Sequence, residues 1–254
     1  MGLFRVFHGR PLRRTVGSIP MRNPIIVALD VPTAERAVDL AGRLAGSVGA
    51  LKIGKELFTS AGPEVVRRLR ATGTPVFLDL KFHDIPNTVA SAVRAAVRLD
   101  VQMLTIHTSG GSAMMQAAVQ AAREEAARLG LPEPLVLGVT VLTSMDDDAL
   151  GEVGVAVKAA EQVERLARLA VRAGLRGLVC SPLEIELLRG ALPREVQLVT
   201  PGIRPAEAAK GDQKRTMTPR VALVAGADWL VIGRPICAAD DPRAAAEAIL
   251  DSLR

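Results

Sequence analysis

Aromatic residues are nearly missing from this chain. Of its 254 residues only 2% are Phe, Trp or Tyr, with a single Trp and no Tyr. Proteins that hold single-stranded nucleic acid stack bases on aromatic faces, so that mode of binding is poorly served here. The core must instead be built from Ala, Val, Leu and Ile. At 49% hydrophobic residues there is enough for one large domain. No run of eighteen apolar residues exists, which leaves the sequence without a membrane-spanning helix. Cysteine is scarce as well. Cys180 and Cys237 lie far apart and offer neither a disulfide framework nor a zinc spacing. A reducing, cytoplasmic setting is the expectation.

Acidic residues are absent before Asp30, whereas Arg5, Arg10, Arg13 and Arg14 crowd the first twenty positions. Without those twenty residues the net charge falls from +5 to +1. The basic surplus therefore belongs to the leader and says little about a nucleic-acid partner. The leader lacks the long apolar stretch of a secretory signal. It reads as an Arg-rich transit segment, a disordered tail or an upstream start codon. A start near Met21 is favoured, because Asn23-Pro24 leads at once into a strand. Residues 1–22 are thus set apart from a single catalytic domain at 23–254.

Along that domain, short apolar runs alternate with helical patterns. Strands are expected at Ile25 to Asp30, Ala50 to Gly54, from Val76, and at Val101 to His107. Further strands are expected at Leu135 to Val141, Leu175 to Cys180, Val196 to Thr200 and Trp229 to Gly233. Between them, apolar residues recur at helical spacing, as in Ala37, Leu40, Ala41, Leu44 and in Val163, Leu166, Ala167, Ala170. Phe58 to Arg70 reads as helical with Pro63 near a helix start. Asn87 or Thr88 is expected to cap the helix that carries Val89 and Val93. A long polar loop runs from Pro201 to Pro219. Eight βα units without hairpin signals imply a parallel sheet closed as a (β/α)8 barrel of the TIM type. An open doubly wound sheet is the alternative, but no G-x-G-x-x-G follows any predicted strand.

Polar exceptions gather where these strands end. Asp30 ends the first, Lys52 lies late in the second, Asp79 and Lys81 leave the third on one side, and His107 ends the fourth. Thr143 and Ser144 follow the fifth strand, Arg204 the seventh, Gly233 and Arg234 the eighth. Barrels of this kind carry their sites at that face. Each residue also has a structural reading. Asp30 would cap a turn, Lys52 would reach along the rim, and Asp79 with Lys81 would form an ion pair. His83 and His107 read as hydrogen-bonded structural residues, and Thr143 and Ser144 as turn hydroxyls. The eighth strand's end is more specific: Gly233 admits close approach of an anion and Arg234 supplies a fixed fork of donors. Arg204 and Gln213, in the long loop, are placed to close over the same phosphate.

These motifs resemble the orotidine 5′-monophosphate decarboxylase family. Asp79-Leu-Lys81-Phe-His-Asp84 fits its D-x-K-x-x-D signature. Ala28–Asp30, Leu51–Phe58, Val139–Met145, Pro201–Pro205, Gly211–Arg215 and Val231–Pro235 fit further segments. The resemblance implies cofactor-free conversion of orotidine 5′-monophosphate to uridine 5′-monophosphate, with no metal. It implies that Lys81 protonates C6 of the pyrimidine within an array of Asp79, Lys52 and Asp84. Asp84 would come from the partner of a homodimer, with Ile85 and Thr88 adding contacts across the interface. Asp30 and Lys52 would hold ribose hydroxyls and Thr143 the pyrimidine. Gln213, Arg234 and the Gly233 amide would take the 5′-phosphate, and Arg204 would belong to the closing loop. The D-x-K-x-x-D pattern alone is shared with metal-dependent sugar-phosphate decarboxylases or aldolases on the same barrel, which stand as the alternative. A basic nucleic-acid-binding protein is a more distant one, and neither nucleic acid nor membrane is an expected partner.

Overall fold

A computed structural model describes residues 23–205 and 216–253. The expectations for residues 1–22 and for Gln213 lie outside the described residues. Eight strands pair in sequence order, all parallel, and β1 (Ile25–Ala28) closes on β8 (Trp229–Ile232). The remaining strands are β2 (Ala50–Ile53), β3 (Val76–Phe82), β4 (Met103–His107), β5 (Leu135–Val139), β6 (Gly177–Val179) and β7 (Gln197–Thr200). The expected closed barrel is present and the open sheet is not. Among the described residues no helix is long and apolar enough to cross a membrane.

The strands can be continuously apolar because both their faces are covered. Every residue of β1, β2 and β8 is buried. One set of side chains faces the helices. The stripe Ala37, Leu40, Ala41, Leu44 of α1 (Ala34–Leu44) packs there, and so do Val163, Leu166, Ala167 and Ala170 of α7 (Ala159–Arg172). The other set forms a separate cluster with no helix residue in it: Ile26, Ala28, Ala50, Phe77, Met103, Leu137, Val199, Trp229 and Val231. Strand alternation identifies this cluster as the barrel's interior. Phe77 and Trp229 are among the largest fully or nearly fully buried side chains. Two of the chain's few aromatic rings therefore fill the barrel floor. Trp229 Nε1 donates to Gln197 Oε1 at 2.8 Å, which satisfies its one polar atom.

Several local expectations are corrected. The segment read as one helix over 58–70 is two, α2 (Lys55–Ala61) and α3 (Glu64–Arg70). Gly62 adopts φ +67°, a left-handed value that ends the first helix, and Pro63 begins the second. The next helix, α4 (Pro86–Val97), starts at Pro86 with Ile85 as its cap residue. Asn87 and Thr88 therefore lie inside its first turn and cap nothing. Helix α5 (Gly111–Leu129) follows a short 3-10 turn at Thr108–Gly110 and has no side-chain cap bond. A helix absent from the sequence reading, α6 (Asp147–Glu152), is capped by the Asp146 side chain, which accepts from Ala149 N. Helix α9 (Pro219–Ala225) begins with Pro219 after Thr218, whose side chain makes no cap bond. A one-turn helix, α10 (Arg234–Cys237), follows β8 directly.

Candidate active site

The inward rows place the charged residues one pleat beyond the apolar floor. Ala28 leads to Asp30, Ala50 to Lys52, Phe77 to Asp79, Met103 to Thr105 and Val231 to Gly233. All rise toward the strands' C-terminal ends, and there they meet. Lys52 Nζ lies 3.1 Å from Asp30 Oδ1 and 4.0 Å from Asp79 Oδ2. Lys81 Nζ donates to Asp79 Oδ1 at 2.7 Å. The result is an alternating chain Asp30, Lys52, Asp79, Lys81. Lys52 is 9% exposed, so its ammonium is held by carboxylates on two sides in a partly dry setting.

Lys81 reaches this array by an irregular backbone. The β3–β4 register pairs Leu78 with Leu104 and Phe82 with Ile106, so β3 carries two more residues than its neighbour over that interval. Such a bulge re-aims side chains. Two extra residues preserve the alternation, which keeps Asp79 and Lys81 on the inward side as expected. The cost falls on Lys81, whose φ is +54°. Among the described residues Asp100 is the other non-glycine with positive φ. It lies in a turn, where Asp tolerates that conformation. A lysine with this φ inside a strand is an outlier, of the kind that gathers at functional sites.

Above the floor lies a cavity of about 550 Å³. Ala28, Phe77, Val139, Val179, Val199 and Val231 form its apolar base. Among the described residues its polar wall carries Lys52, Lys81, Arg204 and Arg234 against Asp30 and Asp79, four cations to two carboxylates. The excess favours an anionic ligand. Thr143 and Gly233 also line it, while Ser144, His83 and His107 do not. Arg204 is 8% exposed and its backbone is tied across the long loop, Arg204 N donating to Met217 O at 3.0 Å. The structure thus brings Asp30, Lys52, Asp79, Lys81, Thr143, Arg204, Gly233 and Arg234 to one cavity. Asp84, Ile85 and Thr88 are not brought there within the chain. They lie on an exposed stretch from His83 to Thr88, and Asp84 Oδ1 accepts from Ile85 N at 2.6 Å.

With this geometry in place, comparison with known proteins decides the family. Residues 23–249 match the sequence model described as "Orotidine 5'-phosphate decarboxylase / HUMPS family". The chain belongs to that family. It is 56% identical over 229 residues to the orotidine 5'-phosphate decarboxylase of Moorella thermoacetica, covering 90% of this chain and 91% of that protein. Against the enzyme of the same name from Opitutus terrae it is 56% identical over 230 residues, covering 91% and 98%. The crystal structure of orotidine 5'-phosphate decarboxylase from Lactobacillus acidophilus superposes with a TM-score of 0.81 at 38% identity. That match covers 91% of this chain and 99% of the other.

Two residues beside this array escape sequence reasoning. Thr105 is fully buried and bonds to Asp79 and to the Lys81 backbone. It reads as an ordinary β-former inside an apolar strand, and only the inward row Met103, Thr105, His107 marks it. Gly54 is the second. A Cβ there would come within 3.2 Å of Lys52 Nζ and 3.3 Å of Asp30 Oδ1. Its lack of a side chain leaves that ion pair its room. Gly233 differs, for its φ is −107° and a Cβ would meet Ala28 at an ordinary 3.6 Å. Space inside the protein would admit a side chain at that position. Cys237 lines the cavity with its thiol donating to Ala28 O at 3.3 Å, and burial pushes that thiol up to about 11.

The histidines behave otherwise than expected. His83 and His107 face each other with ring centroids 5.3 Å apart, tilted by 43°, and no side-chain hydrogen bond joins either to another of the described residues. Burial holds His107 below the usual imidazole range, with the neighbouring His83, Lys55 and Lys81 acting in the same direction. Among the described residues no group of three or more His, Cys, Asp or Glu is arranged to hold a metal ion.

Proposed function

We propose that this protein decarboxylates orotidine 5′-monophosphate to uridine 5′-monophosphate, the closing step of pyrimidine nucleotide synthesis, in the cytoplasm and without a cofactor. The observation that carries the reading is the Lys81 ammonium, bonded to Asp79 at 2.7 Å and set above an apolar floor in a cation-rich cavity. Membership of the family narrows the ligand to its substrates.

The chemistry follows from charge placement. When the C6–carboxylate bond breaks, its electron pair stays on C6 and carbon dioxide departs. The ring spreads that charge poorly, so the site must stabilise a carbanion directly and then protonate it. Lys81 does both, giving its proton to C6 and regaining one from solvent. Asp79 and Lys52 keep the ammonium in place. The substrate carboxylate, brought near Asp79, would be repelled by about 4 kcal/mol at 4 Å and an effective dielectric near 20, before screening by Lys81. Losing carbon dioxide removes that repulsion. Stabilisation of the transition state is the larger contribution.

Remote contacts hold the nucleotide. Asp30 and Lys52 take ribose hydroxyls, and Thr143 contacts the pyrimidine. Arg234 and the Gly233 amide take the phosphate, with Gln213 joining them. The missing Cβ at Gly233 leaves the backbone amide open to close approach by that phosphate. Arg204 anchors the loop that closes over it. Asp84, Ile85 and Thr88 complete the site of a second copy in a homodimer. Their exposure in the single chain, 67% at Ile85, supports this assignment.

The D-x-K-x-x-D pattern is shared with metal-dependent sugar-phosphate enzymes on the same barrel, so the deciding experiment is an assay with orotidylate in the presence of a chelator. Loss of the substrate's ultraviolet absorbance, unaffected by chelation, is expected. Turnover that stops with chelator and returns with a divalent metal would overturn the reading.

A further inference from the structure

The bulge in β3 removes a stretch of the ladder to β4, between Leu78 and Phe82. Across the gap the Lys81 N–H donates to Thr105 Oγ1 at 2.9 Å. The same hydroxyl donates its own proton to Asp79 Oδ1, also at 2.9 Å. That oxygen is the one that accepts from Lys81 Nζ at 2.7 Å. A single hydroxyl, fully buried, therefore fixes the backbone of one partner and the carboxylate of the other. A hydroxyl donates and accepts at once, which the isosteric valine cannot do.

We propose that Thr105 is a positioning residue for the Lys81–Asp79 pair, holding the ammonium donor in its left-handed backbone and aiming the carboxylate that steadies it. This rests on the reading of Lys81 as the proton donor. Thr105 does not line the cavity and so touches no ligand there. Its effect passes through the two residues it holds. A misplacement of the order of 1 Å at a reacting group can slow turnover by about a hundredfold. The phosphate end of the cavity, at Gly233 and Arg234 on the far side of β1, is held without Thr105.

The test compares Thr105→Val, Thr105→Ser and Thr105→Ala in the full chain, with wild type and Lys81→Ala alongside. Turnover of orotidylate, KM, inhibition by uridine 5′-monophosphate and thermal midpoint are all measured. Thr105→Val should lose about 10- to 100-fold in kcat while KM and product inhibition stay within about threefold. Thr105→Ser, which keeps the oxygen, should retain most of the turnover. If valine prevents folding, the Ser and Ala variants carry the test, since they differ by the hydroxyl alone. Normal kcat in Thr105→Val, or in Thr105→Ala where valine fails, overturns the proposal. So does a loss that serine shares equally, or one in which KM rises while product inhibition and thermal midpoint fall, because a purely structural role gives that result. An inactive wild type, or an active Lys81→Ala, would instead overturn the parent reading of Lys81.

Discussion

Lys81 holds φ +54° within a strand, and that conformation has a measurable energy. Lys81→Ala and Lys81→Gly both delete the ammonium and its bond to Asp79, so those losses cancel between them. What remains is the backbone. An L-residue in the left-handed region is disfavoured by about 1–2 kcal/mol, and glycine is not. Glycine's greater freedom in the unfolded chain takes back about 0.4–1 kcal/mol. Lys81→Gly should therefore be the more stable of the two by about 0.5–1 kcal/mol. In a chain of this size that is roughly 1–4 °C in thermal midpoint. Urea unfolding at one fixed protein concentration reads the difference without confusion from association. The same pair of substitutions at Leu80, whose φ is not positive, should show the opposite order. Neither Lys81 variant should turn over orotidylate. If Lys81→Gly unfolds before Lys81→Ala, residue 81 does not hold the left-handed backbone and the argument from strain fails.

Mixing Lys81→Ala and Asp84→Ala chains tests whether two chains share a site. On the proposed homodimer, half the dimers of a random mixture would be hybrids, each with one intact site of two, so recovery of about one quarter of wild-type activity is expected. No recovery, with subunit exchange shown by native mass spectrometry, counts against sharing. Elsewhere, Arg98 on the flank of α4 and Arg128 in α5 clasp Glu125 at 2.6 and 2.8 Å and hold its carboxyl down at about 2. A lowered carboxylate contributes stability that is complete above the unfolded value of 4.5 and is lost as pH falls toward 2. Glu125→Gln should therefore lower the urea midpoint at pH 7. Its gap to wild type should narrow below about pH 4.5; a gap that widens with acid would refute the assignment.

Much of the site was legible because barrel geometry turns a period of two into a place. Asp30, Lys52 and Asp79 break apolar inward rows near the ends of three neighbouring strands, where the parallel pairing brings them together. Lys81 was placed correctly on an incomplete argument. Simple alternation ignores the two extra residues of β3, and the placement survives because an even insertion conserves the face. Thr105 was invisible for the opposite reason: threonine suits a strand whether or not its hydroxyl is used. The helical reading of 58–70 carried helix propensity across Gly62-Pro63, where the backbone turns left-handed. The helix after Asp146 lacks an apolar stripe long enough to register, and its cap alone was too weak a signal. Asp84 through Thr88 show what one chain leaves open. Their residue types carry the family pattern, but the chain's own fold leaves them in solvent.

The order of signs along the array explains why four charges can sit beside an apolar floor at all. Asp30, Lys52, Asp79 and Lys81 alternate, so each inner member has an opposite charge on both sides. Removing Lys52 would leave two carboxylates facing one another, and removing Asp79 would leave two ammonium groups, each change worse than the loss of a single contact. The chain ends on Lys81, whose ion pairing within the described residues is to Asp79 alone. Its open side faces the cavity. The two inner members are thus bound by the protein's own charges, and the terminal cation is the one left to meet an anion that arrives or forms above the floor. An array of the same four residues in another order, with a carboxylate at that end, would repel the species that the cavity's excess of cations attracts.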